Sequence, residues 1–246
     1  MSCVEPATRH AWAPGPSYPL LAERAVHVWR ADLGAVPEEL GALLDGDERA
    51  RAARFASARD AARWRRSHGL LRTLLGRYLQ LEPASLRFSD GEHGKPALAV
   101  DRNLTAVHAP REPPEASTAS GVSFNMSHSA QLALYAFSAA VAVGVDVEVA
   151  RRRAIDEVAV AARILGDREA QRLQALDPAS RKREFLRAWT RHEATLKYLG
   201  VGIGGSDSAP AEHAPWIVDL EMGRNAAGAV AAEQAPLELR CWDWHG

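Results

Sequence analysis

From Val141 to Val149 apolar residues fall at every second position, with Ala142, Gly144, Asp146 and Glu148 between them. β-Branched residues at that period predict a largely buried strand. The period changes over Ala58–Leu79, where Trp64, Leu71, Leu75 and Leu79 form the core stripe of one long predicted helix. A second helix is predicted from about Arg183 to Leu199. It lacks Gly and Pro, carries Phe185, Trp189 and Leu196 at helical spacing and meets Gly200 as a stop. Ala25–Trp29 alternates as a strand, and Asp45 or Asp47 is placed to cap a helix starting near Glu48. Leu86–Ser89 predicts a short strand before a turn from Gly91 to Pro96. Gln131–Val149 reads as a hairpin of two buried strands, and Ile155–Leu176 as helix broken near Gly166-Asp167. The last predicted strands are Trp216–Met222 and Leu237–Trp244. Residues 1–19, with four prolines, are expected to be a flexible lead-in, and 101–120, with Pro110, Pro113 and Pro114, a surface loop.

The chain's 246 residues suffice for one large core or two modest ones. A net charge of −1 gives no global field for nucleic acid or a membrane surface. Two cysteines, Cys3 and Cys241, lie near opposite ends. They exclude a disulfide framework or a cysteine-based zinc site and suit a reducing compartment. No run approaches the roughly 18 apolar residues of a membrane span, and no apolar signal segment opens the chain. The expectation is a cytoplasmic protein with neither nucleic acid nor membrane as partner.

One local feature departs from the neutral average. Arg49, Arg51, Arg54, Arg59, Arg63, Arg65, Arg66, Arg72 and Arg77 crowd a region with few acids. Three readings stay open: a polyanion-binding surface, an ordinary solvated helix face, and one or two arginines holding phosphates of a small cofactor.

The carboxylates offer sharper chemistry. Strand alternation sends Asp146 and Glu148 to one side, about 7 Å apart, and two like charges so close need a cation or protons. Glu193 follows Trp189 by one helical turn and precedes Lys197 by another. If that helix packs beside the strand, three carboxylates converge. Without a nearby His/Cys set they suit a hard cation such as Mg2+. Each half also has a plain reading: Asp146 and Glu148 as a strand end reaching solvent, Glu193 and Lys197 as a helix-surface ion pair.

Taken together, Gly144-Val145-Asp146-Val147-Glu148 and Trp189-x-x-x-Glu193-Ala194-x-x-Lys197 resemble the paired signature of the Sfp-type 4′-phosphopantetheinyl transferases. Gly94-Lys95-Pro96, Phe124-Asn125-Met126-Ser127-His128-Ser129 and Asp47-Glu48-Arg49-Ala50-Arg51 resemble further family segments in the same order. The matches run from about Val26 to Gly204. The resemblance implies an α+β fold of two similar halves related by a pseudo-twofold axis, with the active site at their interface. Residues 20–142 and 143–246 would form the halves, the second carrying the metal site.

It also implies a monomeric, Mg2+-dependent enzyme of secondary metabolism that moves 4′-phosphopantetheine from coenzyme A to a serine of an apo acyl or peptidyl carrier protein, releasing 3′,5′-ADP. By position, Asp146, Glu148 and Glu193 would hold Mg2+. Glu193 would take the serine proton, directly or through a metal-held water, and Lys197 would balance pyrophosphate charge. Arg63 would meet the 3′-phosphate, with Arg51 and Arg54 as further candidates. Lys95 and Pro96 would line the adenine end, and Ser127 and His128 would contact phosphates. Two departures stand out. His192 replaces the family's usual lysine, and relatives usually add one more apolar strand beyond the position of Trp244. The competing class is a non-catalytic protein of the same fold that binds carrier proteins or polyanions.

Overall fold

A computed structural model describes residues 11–90, 96–98, 121–139, 141–150, 155–201 and 214–246. Lys95, most of the expected Gly91–Pro96 turn and the expected loop at 101–120 lie outside the described residues.

The fold is α+β and is built around two sheets. The larger has strand order β1-β10-β2-β6-β5, formed by Ala13–Pro14, Glu238–Asp243, Ala25–Asp32, Leu132–Ala139 and Val122–Ser129. The smaller has order β7-β9-β8, formed by Val143–Val149, Ala226–Ala232 and Trp216–Leu220. A short antiparallel pair, β3 (Phe88–Asp90) with β4 (Pro96–Leu98), stands apart. The helices are α1 (Gly46–Ala53), α2 (Ala58–Leu79), α3 (Glu157–Ile164), α4 (Asp167–Gln174) and α5 (Pro178–Leu199). Among the described residues no helix is long and apolar enough to cross a membrane.

Alternation along β2 and β6 decides the layering. Trp29, Ala31, Tyr135 and Phe137 face Leu70, Leu71, Leu74 and Leu75 of α2. Val26, Val28, Leu134 and Ala136 face Val143, Val145 and Val147 of β7 together with Val230 of β9. The two sheets therefore pack on each other, α2 covers the outer face of one, and α5 packs across β7 and β9 on the outer face of the other. The antiparallel trios β2-β6-β5 and β7-β9-β8 share an order, and each places its long helix between the first strand and a terminal hairpin.

Several details differ from the sequence expectation. The strands within Gln131–Val149 do not form a hairpin: β6 pairs with β5 and β2, and β7 pairs with β9. Strand β9 was not anticipated. Its sequence Ala-Ala-Gly-Ala-Val-Ala-Ala has little β-propensity, but small side chains let α5 lie close, with Ala194 packed on Ala229 and Ala231. The lead-in is also tied down in part, because β1 runs parallel to β10 and Trp12 donates to the Glu221 carbonyl. Strand β10 itself returns to pair parallel with β2, so a boundary near residue 142 does not separate the strands of the two sheets.

Helix ends follow local chemistry. Asp45 caps α1 and forms a reciprocal capping box with Glu48. Asp177 caps α5 with Pro178 in its first turn, which starts the helix earlier than Arg183. Gly200, at φ +73°, ends it as anticipated.

Candidate active site

The site forms where the edge strand β5 meets the edge strand β7, with α5 above them. Asp146 and Glu148 project from the β7 side opposite Val145 and Val147. Glu148 is half-buried, while Asp146 is only 4% exposed, which removes for that residue the reading of a strand end in solvent. Its Oδ1 accepts from Ser127 Oγ at 2.7 Å and from Lys197 Nζ at 2.7 Å. Among the described residues its Oδ2 is buried without a hydrogen-bond partner, and so is Oε1 of Glu193. Glu148 Oε2 accepts from Ser129 Oγ at 2.7 Å.

Helix α5 reaches this position because Gly144 lets it. A Cβ at Gly144 would collide with the Ala194 carbonyl oxygen and the Tyr198 nitrogen and lie 3.0 Å from the Lys197 carbonyl carbon. That close approach brings Glu193 and Lys197 over β7. Burial raises the pKa of Glu193, and the charges of Asp146 and Glu148 raise it further, against the opposing pull of Lys197. The three carboxylates thus share one field. They are not drawn into one ready cluster, however: among the described residues no group of three His, Cys, Asp or Glu side chains is arranged to hold a metal. The donor set still suits a hard cation. Two buried carboxylate oxygens without partners are costly unless something satisfies them. Mg2+ needs few protein oxygens, since it keeps waters and takes the rest from phosphates.

Two clefts open beside the carboxylates. The larger, about 850 Å3, runs from α1 and α2 to Lys197 and includes Arg51, Arg54, His68, Ser127 and His128 in its wall. The smaller, about 450 Å3, is lined by Phe55, Asp60, Arg63, His128, Ser129 and Glu148. Trp64 and His128 border both. His128 is open to solvent at this junction, yet partial desolvation by the surrounding protein, together with Lys197 and Arg63, lowers its pKa. His68 stacks on Trp64 at 3.7 Å between ring centroids, and burial first of all pushes its pKa down to about 3.

Residues 35–140 match the family described as 4′-phosphopantetheinyl transferase, N-terminal, and residues 142–243 match the 4′-phosphopantetheinyl transferase superfamily. The chain is 32% identical over 252 residues to the 4′-phosphopantetheinyl transferase HetI of Nostoc sp., across 96% of this chain and 99% of that protein. The chain belongs to the 4′-phosphopantetheinyl transferase family. Likeness to Sfp of Bacillus subtilis is more distant, 26% over 166 residues, covering 68% of this chain and 64% of Sfp. Members of the family transfer phosphopantetheine from coenzyme A to carrier proteins, and this chain is a transferase of that kind.

The candidate residues named from the sequence are spread over both clefts. Arg63 borders the smaller cleft, where it donates to Asp60 Oδ1 and Gln131 Oε1, whereas Arg51 and Arg54 line the larger one. Ser127 and His128 are strand neighbours pointing to opposite sides of β5, and the Ser127 hydroxyl proton goes to Asp146. Pro96 opens β4, and Lys95 is outside the described residues. His192 is half-buried beside Trp189, and that burial lowers its pKa, so the imidazole is neutral where a lysine would be charged.

One arginine of the basic cluster has a role the sequence did not announce. Arg72 is fully buried and donates to Glu48 Oε2, Asp45 Oδ2 and the carbonyls of Pro83 and Leu86. It ties the capped start of α1, which walls the larger cleft, to α2. Its five donors and permanent charge suit such a hub. An arginine at a helical stripe position, between Leu71 and Leu75, was the available signal.

Proposed function

We propose that this transferase is Mg2+-dependent and that Asp146 and Glu193 hold the ion, with Glu148 beside them. The observation that carries the reading is the pair of buried, unpartnered oxygens, Asp146 Oδ2 and Glu193 Oε1, next to Lys197 at the end of the larger cleft. When bound, Mg2+ supplies positive charge against the pyrophosphate of coenzyme A. Coenzyme A lies in the larger cleft. Arg51 and Arg54 meet the far phosphate there, and His128 and Lys197 meet the pyrophosphate. Arg63 and Glu148 line the smaller cleft, the side left for the acceptor. The Gly94-Lys95-Pro96 segment keeps its proposed place at the adenine end by resemblance alone.

In the reaction a serine oxygen of an apo acyl or peptidyl carrier protein forms a bond to the β-phosphorus. The bond from that phosphorus to the bridging oxygen breaks, and 3′,5′-ADP leaves with the electron pair. Glu193 accepts the serine proton. Its raised pKa suits a base that must also release that proton. Lys197 offsets negative charge as it spreads over the phosphate oxygens. Little covalent chemistry is asked of the protein, so positioning and charge neutralisation carry the rate.

The matched order of β2-β6-β5 and β7-β9-β8 supports two related halves with the active site at their seam. A single chain supplying both halves acts as a monomer, and the reducing compartment suggested by its cysteine usage is the cytoplasm. The test is Glu193→Gln, assayed with coenzyme A, Mg2+ and a panel of apo carrier proteins by mass gain. Transfer should fall at least about 100-fold, the lower range for a lost general base, while coenzyme A binding persists. Full activity in the variant would overturn the assignment of Glu193.

A further inference from the structure

Strands β5 and β7 meet without a backbone ladder, and side chains of β5 take its place. Val145 N–H donates to Asn125 Oδ1 at 2.9 Å, and Val149 N–H donates to Ser129 Oγ at 3.1 Å. Between them Ser127 Oγ donates to Asp146, and Ser129 Oγ donates to Glu148. The offset stays at 19 or 20 residues all along the contact, so the two strands run in the same direction. Asn125, Ser127 and Ser129 share one face of β5 at two-residue steps, as do Asp146 and Glu148 on β7. Asn125, Ser127, Ser129 and Asp146 are all buried.

We infer that Asn125, Ser127 and Ser129 form a side-chain ruler that sets the register of the two sheets and aims the Asp146 and Glu148 carboxylates, so that Ser127 and Ser129 are positioning residues for the metal ligands. The inference rests on the Mg2+ reading above and adds to it.

The physics is specific. A serine hydroxyl has one proton, and each of these is committed to a carboxylate at 2.7 Å, the short length of a charge-assisted bond. Ser127 and Lys197 together saturate Oδ1 of Asp146, which leaves Oδ2 as the oxygen open to a cation. Without Ser127 the carboxylate keeps one anchor on a flexible lysine and can rotate about its terminal torsion. Ser129 is fixed twice, accepting from Val149 N–H while donating to Glu148, so the direction of its proton is set by the backbone of the strand that carries the carboxylate. Asn125 adds no carboxylate contact and holds the strand spacing alone. Alternation of Asn, Ser and Ser with Met126 and His128 thus has a structural purpose distinct from phosphate contact.

The test uses the full chain with Ser127→Ala, Ser129→Ala, Ser127→Thr, Ser129→Thr and Asp146→Asn. Mn2+ binding in the presence of coenzyme A is read by electron paramagnetic resonance, alongside kcat and the KM for coenzyme A. Each Ala variant should weaken Mn2+ binding by about 10-fold or more, the usual cost of removing a partner of a ligand. The KM for coenzyme A should stay within about threefold while kcat falls, and the Thr variants, which keep the hydroxyl, should restore binding to within about threefold of the wild type. Wild-type Mn2+ affinity in folded Ala variants overturns the inference. So does a Ser127→Ala variant that raises the KM for coenzyme A with unchanged kcat, because Ser127 would then serve substrate. If an Ala variant does not fold, its Thr counterpart decides: weakened binding with the hydroxyl present overturns the role. No uptake by the wild type, with Asp146→Asn identical, overturns the metal reading and this inference together. Uptake lost only in Asp146→Asn overturns the ruler alone.

Discussion

Replacing Gly144 with alanine adds one methyl group at the place where α5 lies against β7. The new Cβ would overlap the Ala194 carbonyl oxygen and the Tyr198 nitrogen and sit 3.0 Å from the Lys197 carbonyl carbon. Comfortable non-bonded separation is about 3.5–4 Å, so the helix must withdraw by about 1.5 Å. None of these atoms ends a flexible side chain, and no rotamer change relieves the clash. Overpacking of this kind costs about 1–3 kcal/mol, and rigid backbone on both sides favours about 3. For a chain of this size each kcal/mol lowers Tm by about 2–4 °C, which gives a fall of roughly 6–12 °C. The functional effect is larger, because the atoms displaced belong to the turn between Glu193 and Lys197. A 1 Å misplacement of reacting groups can cost about 100-fold in rate. The assay is thermal unfolding beside kcat at saturating coenzyme A, with Gly46→Ala as a control whose Cβ meets nothing within 4 Å. A Gly144→Ala protein with Tm within 2 °C of wild type, about 0.5–1 kcal/mol, would refute the packing argument. A protein with lowered Tm and unchanged kcat would refute the link between helix spacing and catalysis.

Arg72→Met should destabilise by about 3–5 kcal/mol in chemical denaturation, because Asp45 and Glu48 lose their buried counter-ion and the carbonyls of Pro83 and Leu86 lose a donor. Equal stability would mean that the hub contributes nothing net. Acid should weaken the fold through His27. Tyr78 OH accepts from Trp29 Nε1, so its own proton goes to His27 Nδ1, and burial above all lowers the histidine pKa from 6.5 to about 4. The unfolded chain then binds a proton between those values that the folded chain refuses. The stability is complete above about pH 6.5 and is lost as pH falls toward 4, by about 2 kcal/mol at pH 5. Denaturation at pH 7.5 and 5.0 should show a smaller acid-induced loss in His27→Gln than in wild type, and an equal loss would discount the histidine.

Much of the architecture was legible because burial writes a period into the chain. Helix α2 begins and ends at Ala58 and Leu79 as its stripe predicts, and β7 falls inside its run of alternate valines. The ordered motifs pointed to the family that the comparisons then established. Strand β9 was illegible for a physical reason: its alanines and glycine answer to the helix above it, not to any preference of their own backbone. The hairpin expected from Gln131 to Val149 failed on a related point. Adjacent apolar runs tell that two strands are buried without telling which neighbours they bond.

By itself the sequence determined which faces are buried, which carboxylates and cations the site has to draw on, and which residues cap its helices. These are local matters, set by alternation, helical spacing and side chains within a turn of one another. Only the tertiary structure decided that β10 returns to β2, that Arg72 is a buried hub while Arg63 faces the smaller cleft, and that Gly144 admits α5. It also decided that Ser127 serves Asp146, 19 residues away, and that Lys197 reaches the same carboxylate across 51. Periodicity specifies a face but not the partner that covers it. Partners are chosen by packing between segments distant in the chain, and the charge and hydrogen bonding of this site are properties of those partners.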